Sequence, residues 1–319
     1  MRIAPLLSLG LVLLQPTFAA TFDWSADPLP KVKIETVAFR GWVPDTEKPL
    51  AGTLVLIPGR HGDGRGLADQ PRWQQLAGDL GFAIIGCQFA NGEPYDYQND
   101  GTGEVARAIN AAVEKLAEVS GKPELAKAPL AFWGTSAGSN VSMAYCTHFP
   151  ERVAAVGSSK GTGGPQGATG PKQMEIPMIF AVGGKDKPEW VTGSVENIGR
   201  GLGKAPWTLA LQANEGHGVD ASLDVIIPFL RSAVEQRLGK KPATGSSSFF
   251  KSELPNIGSG SRPASAKTTF AKINLRDGWL GDRETFEVAT YSDFKGTKAK
   301  AIWLPDEATA LAWQAYLRR

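Results

Sequence analysis

Leu130-Ala131-Phe132-Trp133-Gly134-Thr135-Ser136-Ala137-Gly138 is the stretch on which the rest of the chain turns. Four apolar residues are followed by the pattern Gly-x-Ser-x-Gly, and residues 137–149 then carry a helix-forming run. A short apolar run closed by such a turn predicts a buried strand, a sharp reversal and a helix. Glycines at 134 and 138 suit a turn where side chains would collide with neighbouring backbone. Ser136 would project its hydroxyl from the turn, and the helix start would offer backbone N–H groups to a developing negative charge. The five-residue pattern alone is weak; the strand before it and the helix after it make it specific. The plainer alternative is a glycine-rich turn in which Ser136 only caps a helix.

Outward from that turn, short apolar runs alternate with helical spacing. Residues 32–39, 53–57, 82–89, 130–133, 153–156, 177–182 and 207–211 read as strands, and 73–80, 105–119, 137–149 and 223–238 as helices. Pro228 lies inside the last helical pattern and predicts a kink or a delayed start there. Alternation of this kind predicts an α/β fold, a doubly wound and mostly parallel sheet with helices on both faces, its function gathered in loops at the carboxyl ends of the strands.

A nucleophilic serine needs a base, and the chain has three histidines, His61, His148 and His217. His217 follows the strand 207–211 and precedes the last large helix, so the order serine, acid, histidine is kept. His148 reads as a residue at a helix C-terminus, favoured by the dipole. His61, in the loop after strand 53–57, would break the order. The acid is expected after strand 177–182, where Asp186 stands, with Glu189 as its substitute; Glu215 is reachable only by a local turn. The oxyanion donors are expected to be the backbone N–H groups of Ala137 and Arg60, the latter in the loop Pro58-Gly59-Arg60-His61-Gly62. A phosphate-binding loop does not fit, because its Gly-Lys-Ser/Thr ending is absent.

With these residues assembled, the chain resembles the α/β-hydrolases of the esterase, poly(hydroxyalkanoate) depolymerase and dienelactone hydrolase group. Residues 54–59 with their loop, Gly134 to Gly138, Asp186 and His217 carry the resemblance, which spans 33–239. It implies that family's strand order and a covalent acyl-enzyme route. One departure stands out: Pro58-Gly59 occupies the place where many relatives have His-Gly.

The whole chain has 319 residues, 42% hydrophobic and 21% charged, with 34 basic against 32 acidic side chains and a net charge of +2. That balance is globular and gives no basic surface for nucleic acid. Residues 1–20 read as a signal peptide: Met1-Arg2, an apolar run 6–14 too short to span a bilayer, Pro16, then small residues with cleavage after Ala19 or Ala20. The expected location is secreted or periplasmic, without a stable membrane span and without a lipid anchor. Cys87 and Cys146 are expected as buried free thiols. Cysteines and histidines are too sparse for a recognisable metal cluster, and no cofactor is expected.

Residues 243–267 are rich in Ser, Gly and Pro and read as a linker, and 268–319 as a C-terminal extension with a helix at 307–316. About fifty residues make a small core, so the extension is expected to pack on the main domain through Trp279, Trp303 and Trp313. The alternative is a separate glycan-binding module. Between the strands near 156 and 178, residues 160–175 leave little room for a cap, which predicts an open site suited to an acylated polymer or a bulky ester. Tyr95, Tyr97, Trp133 and Trp190 lie in or near the expected rim loops, where they would stack on sugar or aromatic groups or else pack in the core. The expected function is a serine hydrolase of carboxylic esters, on acylated carbohydrate or aromatic substrates. A peptidase or thioesterase on the same scaffold and a non-catalytic binding protein retaining the fold are the alternatives.

Overall fold

The computed structural model describes residues 19–90, 100–161, 170–240 and 269–319. An eight-stranded sheet forms the centre, built from β1 (Ala20–Ala26), β2 (Thr36–Val43), β3 (Gly52–Ile57), β4 (Phe82–Ala90), β5 (Leu130–Thr135), β6 (Val153–Ser159), β7 (Met178–Gly183) and β8 (Trp207–Gln212). Their spatial order is β1-β2-β4-β3-β5-β6-β7-β8. β1 and β2 run antiparallel at one edge, and β4 through β8 are joined by parallel pairings. The continuous apolar runs have their physical reason here: β3, β6 and β7 are buried at every residue, as strands covered on both faces must be.

The helices are α1 (Pro71–Leu80), α2 (Glu104–Ser120), α3 (Ala137–His148), α4 (Pro188–Gly199), α5 (Leu223–Arg237) and α6 (Glu307–Leu317). α1 packs with α5, and α2 with α3, as the two layers on the sheet. Helix α1 starts on Pro71, whose missing N–H is no loss at that position, and ends on Gly81 in the left-handed region. Helix α5 runs unbroken through Pro228.

From β3 the chain crosses through α1 to β4 on one side, then through α2 back over β3 to β5 on the other. The winding therefore reverses between β3 and β5. In open α/β sheets such a reversal leaves a crevice at the carboxyl ends of the two strands. Pro58-Gly59 and Ser136 stand at those two ends.

Three parts of the fold differ from the reading of the sequence. β1 begins at Ala20, alternates between half-buried and exposed positions over most of its length, and completes the antiparallel edge. The strand expected at 32–39 begins later, at Thr36, because Pro30–Val32 form a single 3₁₀ turn. Helix α4 contains Gly193 and β-branched residues, which weaken its helical pattern.

The extension folds against the main sheet. β9 (Trp279–Gly281), β10 (Val288–Thr290) and β11 (Ile302–Leu304) form a small antiparallel sheet, followed by α6. Trp313 of α6 is fully buried and donates its indole N–H to the Leu209 carbonyl of β8 at 2.8 Å. The Thr208 hydroxyl of β8 donates to the Trp303 carbonyl, and the Trp303 ring meets Phe229 of α5 edge-on. Trp303 and Trp313 are thus anchors to the main domain.

Cys87 in β4 and Cys146 in α3 are free and buried, and desolvation pushes both thiols well above the ordinary range. No helix among the described residues is long and apolar enough to cross a membrane. The leader up to residue 18, Tyr95, Tyr97, residues 162–169 of the inter-strand segment and the linker 243–267 lie outside the described residues.

Candidate active site

β5 ends at Thr135 and α3 begins at Ala137, so the whole reversal falls on Ser136. Its backbone takes φ 51° and ψ −119°, a conformation that side-chain-bearing residues rarely adopt and that costs about 1–3 kcal/mol. The surroundings hold it there. The Ser136 N–H donates to the Ser159 carbonyl at the end of β6 at 2.8 Å, and the Ser139 N–H donates back to the Ser136 carbonyl at 3.0 Å. The Ser139 hydroxyl ties down the Gly134 carbonyl at 2.6 Å.

Both motif glycines are required by space. A Cβ on Gly134 would sit 2.3 Å from the Gly138 carbonyl oxygen, and one on Gly138 would sit 2.3 Å from the Ile57 carbonyl oxygen. The second contact packs the start of α3 against the end of β3. Gly59 then lies beside the nucleophile position: a Cβ there would be 3.4 Å from the Ser136 Cβ. Arg60 follows it, exposed, in a turn closed by the Gly62 N–H to the Gly59 carbonyl at 3.0 Å.

Asp186 and His217, the residues expected as acid and base, come from the loops after β7 and β8, which are laced together. The Gly184 N–H donates to the Gln212 carbonyl and the Lys185 N–H to the Glu215 carbonyl, both at 2.8 Å. Gly183 meets Gly216 so closely that an added Cβ would be 2.2 Å from its carbonyl oxygen. On this frame the His217 Nδ1 lies 2.5 Å from Asp186 Oδ2. The other carboxylate oxygen of Asp186 accepts the Lys187 N–H at 2.9 Å. A carboxylate can only accept, so Nδ1 carries a proton, and in the neutral ring the lone pair then falls on Nε2, the tautomer a general base needs. Asp186 is largely covered while the imidazole is 40% exposed. A largely covered carboxylate thus orients a partly exposed imidazole.

The imidazole partner is Asp186. Glu189 stands in the first turn of α4, and Glu215 pairs with Lys160. His148 closes α3 and its Nε2 lies 3.1 Å from the Asp100 carbonyl, next to the start of α2. His61 sits in the turn after β3 with a positive φ of 56°. Trp133 is a core residue, its ring 5.1 Å from that of Trp73 and its indole N–H bonded to the Ser159 hydroxyl. Trp190 is at the site: its ring centroid is 5.4 Å from that of His217, and the Lys187 ammonium lies over the indole at 4.5 Å from its centroid.

Lys160 carries no signal in the sequence. It follows the strand as one lysine among Ser and Gly, the pattern of a solvated loop residue, yet its side chain is fully buried against Glu215. Among the described residues no group of three His, Cys, Asp or Glu side chains is placed to hold a metal ion.

No family model matches the sequence, and no curated protein matches it. Solved structures do. A ferulic acid esterase aligns with a TM-score of 0.51 at 12% identity, over 68% of this chain and 99% of that one. A cold-adapted esterase from an Arctic intertidal metagenomic library gives 0.47 at 16% identity, over 72% and 99%. A dienelactone hydrolase from Anabaena variabilis gives 0.46 at 18%, over 67% and 95%. The first alignment shows the fold, that of the α/β-hydrolases, as the strand order and the turn at Ser136 do independently.

Proposed function

We propose that this protein is a serine hydrolase of carboxylic esters, exported from the cell, with Ser136 as nucleophile, His217 as base and Asp186 as the residue that orients the base. The observation that carries the reading is the pairing of a strained serine at the winding reversal with a separate Asp186–His217 hydrogen bond of 2.5 Å on the neighbouring loops. A strained turn alone, or a histidine–carboxylate pair alone, has many structural explanations. The two at the carboxyl ends of one parallel sheet have a specific chemical one.

The reaction follows from the tautomer. His217 Nε2 takes the hydroxyl proton as Ser136 Oγ attacks the ester carbonyl. Asp186 stabilises the imidazolium through Nδ1–H and stays ionised. The carbonyl oxygen becomes an oxyanion, held by the backbone N–H of Ala137 at the start of α3 and by that of Arg60. The imidazolium returns its proton to the departing alcohol. Water, deprotonated by the same imidazole, then releases the acid from the serine.

The substrate class we assign is an aromatic or carbohydrate-linked ester. Trp190, 5.4 Å from the His217 ring, supplies an aromatic surface beside the base against which a substrate ring can stack. The apolar run 6–14 with its small-residue boundary supports export.

A panel of feruloyl, acetyl, methyl-glucuronoyl and short aliphatic esters, run beside amide and thioester analogues, tests the class. Ester turnover with a preference for the ring-bearing acids is expected. Labelling by an active-site phosphonate, lost in Ser136→Ala, is expected to accompany it. A protein that neither turns over any ester nor takes the label is a binding protein on this fold, and a faster amide or thioester reaction moves it to those classes.

A further inference from the structure

Lys160, Glu215 and Tyr316 meet in the interior although they lie far apart in sequence. The Lys160 Nζ is 2.6 Å from Glu215 Oε2 and 3.1 Å from the Tyr316 hydroxyl. The Tyr316 hydroxyl donates to the same Glu215 oxygen at 2.7 Å. The lysine side chain has no exposed surface, and Tyr316 is fully buried. Burial, with the Glu215 carboxylate beside it, pushes the Tyr316 phenol far above its ordinary range, so it remains a donor.

Such a cluster is a poor way to gain stability. Desolvating the ammonium and much of the carboxylate is costly, and well-packed apolar replacements are often as stable or more so. Lys160 also takes a positive φ of 55°, a further cost for a residue with a side chain. What the cluster does provide is a fixed geometry between three elements, and the main-chain contacts show which elements. The segment Ser159-Lys160 accepts the Ser136 N–H through its first carbonyl and binds Glu215 through its second side chain. Lys160 also donates its N–H to Ala181 of β7 at 2.8 Å. Glu215 in turn receives the Lys185 N–H on its carbonyl and lies two residues before His217. Tyr316 is in α6, pinned to β8 through Trp313.

From this we infer that Tyr316, Lys160 and Glu215 are positioning residues for His217, and that the C-terminal extension is part of the catalytic apparatus because α6 supplies the phenol that locks the base-bearing loop to the segment holding the nucleophile turn. The inference rests on the hydrolase reading above. It assigns the extension a role in the reaction instead of an independent binding function.

Two variants of the mature protein test it. Tyr316→Phe keeps the ring and removes only the hydroxyl. The double variant Lys160→Met/Glu215→Met replaces the ion pair by apolar side chains of similar length. A displacement of about 1 Å costs on the order of 10²-fold in rate, so kcat is expected to fall by about 10-fold to 10²-fold in both, with KM little changed. The double variant leaves the buried Tyr316 hydroxyl without these two partners, so it is the addition of Tyr316→Phe to it that is expected to bring the melting midpoint to the wild-type value or above. A purely structural cluster gives the opposite: a lowered midpoint and an unchanged kcat per folded molecule, which overturns the proposal. Hydrogen exchange across residues 213–219 supplies a readout independent of turnover. Faster exchange there in Tyr316→Phe, with the β5–α3 turn unchanged, supports the lock, and unchanged exchange overturns it. If the wild-type protein shows no ester turnover and no Ser136-dependent labelling, the hydrolase reading fails, and the exchange measurement still decides whether the extension orders this loop.

Discussion

Asp186 and His217, 31 residues apart, meet through a 2.5 Å contact between a carboxylate oxygen and Nδ1, and the loops that carry them are joined just before that contact by main-chain hydrogen bonds from Gly184 to Gln212 and from Lys185 to Glu215. The carboxylate therefore dictates the tautomer. In Asp186→Asn the amide can present N–H to Nδ1 and stabilise the wrong tautomer, with the proton on Nε2. Turnover is expected to fall by about 10⁴-fold with substrate binding retained. Steady-state kinetics on the best ester of the panel would check this. A loss below tenfold would mean that Glu189 or water takes over the role.

The base also sets the acid limit of activity. A protonated imidazole cannot accept the Ser136 proton, so kcat/KM is expected to fall across the acid range. A pH–rate profile with a single-proton acid limb is the expected result. A profile that stays flat through that range would remove His217 from its role.

Strain at Ser136 is separable from chemistry. A positive φ of 51° persists because the Ser159 carbonyl and the packed glycines hold the turn. Alanine at 136 keeps the penalty of a Cβ, whereas glycine relieves it at the cost of extra freedom in the unfolded chain. Ser136→Gly is expected to be more stable than Ser136→Ala by about 1 kcal/mol, both being inactive. Urea denaturation of the two variants reads this difference directly, and equal midpoints would show that the turn is relaxed.

The elements legible in the sequence are those whose signal is local. β3, β5 and β7 are continuous apolar runs, and β5 is followed by glycines that the backbone contacts at 134 and 138 demand. The Asp186–His217 pairing is also foreshadowed in the chain, because each residue follows the end of a strand, and the structure brings the two side chains together. Lys160 and Tyr316 are not foreshadowed. Their partner, Glu215, is 55 residues from one and 101 from the other, and nothing near a lysine or tyrosine in the chain records that it will be buried. Long-range ionic contacts have no periodicity to read. The same holds for β1, whose hydrogen-bond partner β2 lies across a turn and whose alternation is masked by the apolar leader beside it.

The buried thiols make stability depend on pH on the alkaline side. Burial raises Cys87 and Cys146 in the folded protein, so between the unfolded value, about 8.5, and the folded one the unfolded chain releases protons that the folded chain keeps. Their contribution is fully present below about pH 8.5 and is lost as pH rises above it. Tyr145 and Tyr316, raised by desolvation, act in the same direction from about pH 10. The urea midpoint is expected to decline between pH 8.5 and 10, and the decline is expected to flatten when both cysteines are replaced by alanine. An unchanged slope in that variant would place the alkaline sensitivity elsewhere.

Two glycines in helices give opposite expectations under the same substitution. Gly78 is exposed in α1, and a Cβ there would meet no atom within 4 Å. Gly78→Ala removes freedom from the unfolded chain and improves helix propensity, so a gain of about 0.5–1 kcal/mol is expected. Gly138 has ordinary helical surroundings in sequence, but its Cβ would press on the Ile57 and Pro58 carbonyl oxygens at 2.3 and 2.5 Å. Neither oxygen can yield freely, because they belong to the end of β3 and to the loop beside Ser136. Gly138→Ala is expected to cost about 1–3 kcal/mol, the range for overpacking. It is also expected to lower turnover more than stability alone explains, because relief requires α3 to move away from β3 and to carry the Ala137 N–H with it. Denaturation midpoints and kcat for the two alanine variants check this, and a Gly138→Ala protein with wild-type turnover would show that the approach of α3 to β3 is not needed to place the oxyanion donor.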